Sequence, residues 1–582
     1  MRFKHLSLLP LLLALLPQAP AQTAAQPAPQ KTEPVAQSSA LSSALFYQLL
    51  LGELNARNEE PASAFSLMLD AAHQTKDPAL FNRAVQIALQ ARSGPSALMA
   101  AQAWAKAEPQ SREANRFVLQ VLLGLNRTAE ALEPLKRDIA LTPKTTQQEA
   151  IWHVASLFER VSDRPLAAQT VQKALASYLG NMELGPTAWA TIGRMWHSAD
   201  QASTALKAAA SGLRMNAKAE HPALLALTLM SANTPSAEEL VQKHLPHARP
   251  EFRISYVKVL ISAQRDADAS AQLALLQKNH PDYADSWLIS GALKLQMNQP
   301  QQAQGQFQHY LDLTEPSASP SAVEVNARGR TQAFFALAQI AQQSKDYKQA
   351  DDWLLRIATP EDTTRAEIRR AQLVAEQGQL DAALGMLQNL PTRSAEEQQL
   401  KQAAQVQLLK DGKQFERARA LLQTQLNHNP TDPDLIYELA MVQEKLGQLD
   451  DMERLLRQLI EARPNDPHAY NALGYSLADR GLRLPEAIAL ITRALELTPN
   501  DPFILDSLAW AEFRSGNADK ALQQLQTAFK AKPDAEIAAH LGEVLWHLNR
   551  QAEARDIWRE GIKLNPANET LLQTVQRLKA VL

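Results

Sequence analysis

Residues 502–533, "PFILDSLAWAEFRSGNADKALQQLQTAFKAKP", read as two amphipathic helices around one turn. Leu505, Leu508 and Ala509 recur at helical spacing, Gly516 interrupts the pattern, and Ala521 and Ala528 resume it before Pro533 closes the unit. The small residues fit a simple steric account. Two antiparallel helices of about 13 residues that cross closely leave room only for Ala or Gly where their axes approach.

The closing proline recurs. Pro430, Pro464, Pro499, Pro533 and Pro566 are separated by 34, 35, 34 and 33 residues, and Pro109 and Pro143 by 34. Each follows one apolar helical segment and precedes another, as suits a residue that ends a helix and pre-sets the first turn of the next. Such a period means repeats, so the prior of about four domains for this length does not apply.

The spacing of large and small residues resembles the tetratricopeptide (TPR) family. "DSWLISGALKLQMNQPQQAQGQFQHYLDL" (285–313) carries the same marks in Trp287, Gly291, Ala303 and Phe307, and "PTAWATIGRMWHSADQASTALKAAASGL" (186–213) in Trp189, Gly193, Ala205 and Gly212. Following the small residue at position 20 of each unit gives Ala64, Ala97, Ala131, Ala167, Ala205, Ala237, Ala269, Ala303, Ala350, Ala383, Ala418, Met452, Ala487, Ala521 and Ala554. The reading is therefore an all-α, right-handed superhelical TPR solenoid of about 15 hairpins. The step from Ala303 to Ala350 is 47 residues, about 13 more than the repeat period. It predicts an interrupting loop or joint at 315–330, between solenoid halves at 41–314 and 331–566, with a capping helix of polar outer face at 567–582.

Composition narrows the function classes. The formal net charge is -3 and 21% of residues are charged, so no basic stripe suits a phosphate backbone and no nucleic-acid partner is expected. Arg2 and Lys4, an apolar run from Leu6 to Leu16 and Ala19-Pro20-Ala21 before Gln22 predict a cleaved signal peptide over 1–21. That run falls short of the roughly 20 residues needed to span a bilayer. The chain has no cysteine, which excludes disulfides, thiol catalysis, cysteine metal sites and an acylated lipid anchor. Periplasmic location follows as an expectation, with 22–40, rich in Gln, Ala, Pro and Ser, as a disordered tether.

Chemistry is sparse. Gly474-Tyr475-Ser476-Leu477-Ala478 lacks the last glycine of a nucleophile elbow and falls on a helix. Ser255 and Lys258 match S-x-x-K without companion motifs. His244 and His247 read as a surface pair at a hairpin end, without a third ligand at zinc spacing. No catalytic residue, cofactor or metal is assigned, and an enzyme is not expected.

A repeat array does have an inner surface. Positions 2, 5, 9 and 12 of each first helix lie on the stripe opposite the packed one. In the C-terminal hairpins they include Tyr437, Tyr475, Phe503, Trp510, Phe513 and Trp546, which either anchor a protein partner in the groove or stack between repeats. The slots of a carboxylate clamp hold Asn471, Tyr475 and Asp506, a set unsuited to a terminal carboxylate. The first helix, "SSALFYQLLLGELNAR" (42–57), carries Leu45, Phe46, Tyr47, Leu49 and Leu50 around most of its circumference, as a docking helix would, although ordinary first-hairpin packing also uses such residues.

"FYQLLLGELNARNEEPASAFSLMLDAA", "DPALFNRAVQIALQAR", "NALGYSLADRGLRLPEAIALITRALELTPNDPFILDSLAWAEFRSGNADKAL" and "AEIAAHLGEVLWHLNRQAEA" together resemble the LbcA-like group of envelope TPR adaptors, most specifically over 430–566. The resemblance implies a non-enzymatic adaptor that binds a carboxyl-terminal processing serine protease and presents periplasmic substrates such as peptidoglycan hydrolases. The chain departs from the group in lacking a lipobox cysteine. A scaffold for an envelope assembly or polysaccharide-export machine is the alternative.

Overall fold

The computed structural model describes residues 41–58, 60–230, 235–315 and 320–581. The signal peptide and tether read at 1–40 lie outside the described residues. Among the described residues there are 31 α-helices, three short 3-10 segments and no strand. Thirty of the helices pair in chain order into fifteen hairpins, and a last helix, Glu569–Arg577, follows.

The position-20 residues account for the close crossing. All fifteen, from Ala64 to Ala554 and including Met452, are fully buried. Gly474, in helix Pro467–Asp479, shows why the partner position is small. A Cβ there would lie 2.5 Å from Ile491 Cγ1 and 2.9 Å from the Ala487 carbonyl oxygen of helix Leu484–Leu497. No side chain fits without separating the two helices.

Hairpins start and turn by local chemistry. Asp432, Asp466 and Asp501 each precede a proline and accept a backbone N–H of the first turn of the helix that follows, so cap and first-turn residue are adjacent in sequence. Many turns use one left-handed residue, supplied by Gly516 at φ 92° in the 502–531 hairpin but by Asn126, Asp200, Asn298, Lys413 or Asn549 in others. The 35-residue repeat places both Gly481 (φ 67°) and Arg483 (φ 44°) in the left-handed region, so its extra residue is absorbed in the turn.

The chain divides into two compact units, one ending at Ser255 and one beginning at Tyr256. Of the span 315–330 read as a loop or joint, residues 320–330 are the opening turns of helix Pro320–Gln343, 24 residues long. The insertion is therefore largely a helix extension, which Ala-rich sequence tolerates at little cost. The helix Glu569–Arg577 buries Leu571 against the last hairpin, and Arg577 donates to Glu543 at 2.5 Å.

Candidate functional site

The second unit brings most of the predicted groove residues together, but with His540 at their centre. His540 lies in helix Ala535–His547 and is buried. Its Nδ1 donates to both carboxylate oxygens of Asp506, each at 3.0 Å, and its Nε2 lies 3.4 Å from the Tyr475 hydroxyl. Trp510 stacks on the imidazole at 4.4 Å between centroids and donates from Nε1 to Asp479 at 3.3 Å. Tyr475, Asp506 with Trp510, and His540 belong to three successive hairpins, so one polar network ties them.

Electrostatics follow from burial. Burial opposes the charged imidazole of His540, but the Asp506 carboxylate, with Glu536 and Glu543 beyond it, outweighs this and holds the ring above its ordinary value. Burial raises the Tyr475 phenol well beyond its usual range. Burial also raises Glu444 and Glu536, assisted by Asp479 for the first and Asp506 for the second, while Lys445 works the other way on both. Glu536, three hairpins on from Glu444, adds to the raising of Glu444, so this face is rich in carboxylates.

The aromatic anchors read from sequence divide accordingly. Trp510 is 5% exposed and holds repeats together rather than presenting a free face. Its large ring is enclosed by His540, Phe513 and Arg514, the stacking alternative of the two read from sequence. Tyr437 and Tyr475 are half-buried against the core. Phe513 meets His547 edge to face, and Trp546 packs on Trp558 at 5.5 Å with Arg555 over its ring, so Trp546 faces the second helix of its own hairpin. Phe503, 47% exposed, is the one of the six that offers a large open surface. Asp506, read as a clamp slot, is committed to His540.

The first unit holds a second cluster that the C-terminal reading overlooked. Trp152 stacks on His221 at 4.3 Å, and the Arg194 guanidinium lies 4.2 Å from the Trp152 ring centre. Arg194 also donates to the Trp152 carbonyl at 2.9 Å. Thr187 accepts from Gln148 at 3.1 Å, leaving its own hydrogen for His221 Nδ1 at 2.9 Å. Burial lowers both His221 and Arg194, and Arg194 adds to the effect on His221. Trp152, Thr187 and Arg194 occupy inner-stripe positions of their repeats, so the same positional rule applied upstream finds them.

The docking helix, Ser43–Arg57, is split by packing. Leu45 and Leu49 are half-buried, whereas Phe46, Tyr47, Leu50 and Leu54 are exposed and recur at one-turn spacing. The minor motifs resolve plainly. Ser476 is buried in mid-helix, and the Ser255 hydroxyl donates to the Glu251 carbonyl at 2.9 Å. His244, read as a surface residue, is buried, bonded through Nδ1 to the Ala217 carbonyl and set edge-on to Phe252. Its ring fills a small space under the hairpin end, a contact that sequence spacing does not register. Among the described residues, no group of three or more His, Asp or Glu could hold a metal, and no helix is long and apolar enough to cross a membrane.

Two tetratricopeptide-repeat family models match the chain, at residues 409–474 and 507–569. The hairpins within those two spans match tetratricopeptide repeats. The TPR repeat-containing protein PA4667 of Pseudomonas aeruginosa is 35% identical over 211 residues, 36% of this chain and 36% of that protein. Cellulose synthase operon protein C of Pseudomonas fluorescens is 28% identical over 211 residues, 34% of this chain and 16% of that protein. The chain thus spans little more than a third of the first relative's length and a sixth of the second's. A tetratricopeptide repeat protein from Parabacteroides merdae is 14% identical with a TM-score of 0.33, covering 42% of this chain and 98% of that one, too loose a superposition to argue from.

Proposed function

We propose that this TPR protein is a non-enzymatic periplasmic adaptor, exported by the signal peptide at 1–21, that binds a carboxyl-terminal processing serine protease and presents envelope substrates such as peptidoglycan hydrolases to it. The observation that carries the adaptor reading is the outer face of the first helix. Phe46, Tyr47 and Leu50 stand exposed on the first described helix, where the outer face of a repeat ordinarily shows polar side chains. A cluster of large apolar groups on such a face is a docking surface for another chain. The choice of protease as partner rests on the sequence resemblance over 430–566, and delivery of substrates uses the carboxylate-rich inner face around Glu444, Asp479 and Glu536.

Reconstitution tests this directly. Purified chain added to the purified protease should form a complex in light-scattering chromatography and accelerate hydrolase cleavage. Phe46→Glu with Tyr47→Glu and Leu50→Glu should abolish both while leaving the thermal transition in place. Unchanged acceleration by that variant rejects the docking face, and no complex with wild-type chain rejects the protease. The similarity to cellulose synthase operon protein C favours a second reading, a scaffold for an envelope assembly machine. Export-machine subunits captured with the chain under conditions where the protease is not would favour it.

A further inference from the structure

The helix Ala395–Asp411 is 17 residues long, against 13 for the first helices Pro433–Lys445, Pro467–Asp479 and Pro502–Arg514. Its sequence, "AEEQQLKQAAQVQLLKD", sets Gln398, Gln402 and Gln405 at i, i+4 and i+7, one stripe of primary amides. That stripe forms one wall of a cavity of about 760 Å³, and Thr424, Gln425 and His428 of helix Phe415–His428 line it from another side. Leu421, Leu422 and Leu435 give it an apolar floor. Gln425 is 7% exposed, yet its buried Nε2 has no hydrogen-bond partner. A buried amide donor without an acceptor is unfavourable, and it is relieved by a carbonyl oxygen brought into the cavity.

We propose that this amide-lined cleft binds an extended, uncharged polypeptide segment of a partner, gripped through its backbone. Three features select that chemistry. First, two of the three carboxylates at the rim are paired, Glu438 with Lys410 at 2.7 Å and Asp434 with Arg463 at 3.0 Å, and the third, Asp432, accepts from Asn429 and from the backbone of the helix it caps, so little of the lining calls for a charged ligand. Second, each glutamine amide both donates and accepts, which matches the alternating N–H and C=O of a peptide. Third, glutamines four residues apart on a helix rise by about 6 Å, close to the roughly 6.6 Å that two residues of an extended strand advance. The cleft is distinct from the exposed first helix and from the His540 network, and it does not depend on the identity of the protease.

Fluorescence anisotropy with the full chain and a capped, fluorescein-labelled peptide of alternating alanine and glutamine tests the assignment. Saturable binding is expected, little changed by added salt. Gln425→Leu and the double variant Gln402→Ala with Gln405→Ala should each weaken it about tenfold, the loss of one or two amide hydrogen bonds. Gln301→Ala, an exposed glutamine elsewhere in the unit, should not. A peptide N-methylated at every residue should fail to bind, because its backbone donors are gone. The proposal is overturned if no saturable binding occurs, if the cleft variants bind like wild type, or if the N-methylated peptide binds equally. Displacement of the peptide by chitotetraose acting at the same glutamines would also overturn it, in favour of a glycan site. Equal thermal midpoints for wild type and Gln425→Leu separate lost binding from lost fold.

Discussion

Two tryptophan–histidine stacks, built alike, set the two units apart. Trp152 and His221 stack at 4.3 Å and 28°, Trp510 and His540 at 4.4 Å and 21°. In the first, the imidazole faces an uncharged hydroxyl, Thr187, with Arg194 nearby, and burial pushes its titration below the ordinary value. In the second it faces the Asp506 carboxylate, which pulls the titration of the ring above the ordinary value against the effect of burial. Ring geometry alone therefore does not fix what such a stack does. The nearest charge decides whether the charged form of the ring is opposed by burial or favoured by a carboxylate of the preceding repeat.

Removing that charge has the largest expected effect. Asp506→Ala leaves His540 buried without its counter-ion and should destabilise the second unit by about 3 kcal/mol or more. Thr187→Val, the equivalent change in the first unit, removes one neutral hydrogen bond and should cost about 1 kcal/mol. Denaturant unfolding of both variants checks the pair; equal losses would erase the distinction drawn between the stacks. Trp510→Leu comes next, at about 2 kcal/mol for a ring that is almost wholly enclosed, with Trp152→Leu costing about half as much because Trp152 is half-exposed.

The pH response should differ in sign. His540 has a folded value raised above the unfolded one of about 6.5. Its contribution is therefore full below that pH and lost as pH rises through the raised folded value. His221 has a lowered folded value, so its contribution is present above about 6.5 and lost as pH falls through the lowered folded value. Comparing wild type with His540→Gln and with His221→Gln across pH 5 to 8 should give stability differences of opposite slope. Parallel slopes would mean that both rings share one charge state.

The fold was legible because the repeat states its packing rule in single residues. Ala64 through Ala554 are small where axes cross, and Asp501-Pro502 marks a start that the backbone then uses. The candidate site was less legible because inner-stripe positions identify where a side chain originates, not what covers it. Trp510 and Phe503 share one helix and one predicted stripe, yet one is enclosed and the other open. His540 escaped notice because it falls outside positions 2, 5, 9 and 12, and its partner Asp506 lies one repeat earlier. The insertion near 315 showed as surplus length, while its helical conformation depended on contacts that a count of residues does not contain.

The smallest effect sharpens the comparison most. Arg194 lies over Trp152 and pushes the His221 titration down in addition to burial, the larger cause. Arg194→Gln removes a cation–π contact and should cost only about 0.5–1 kcal/mol. The same substitution should move the His221 imidazole back toward its ordinary value, by less than full exposure would, because burial remains. Two-dimensional NMR titration of the His221 ring reads this directly, and His540, which lies in the other unit, serves as the internal reference. If His221 does not move, burial alone sets its charge. The contrast between the stacks would then rest on Asp506 rather than on opposing charges in both units.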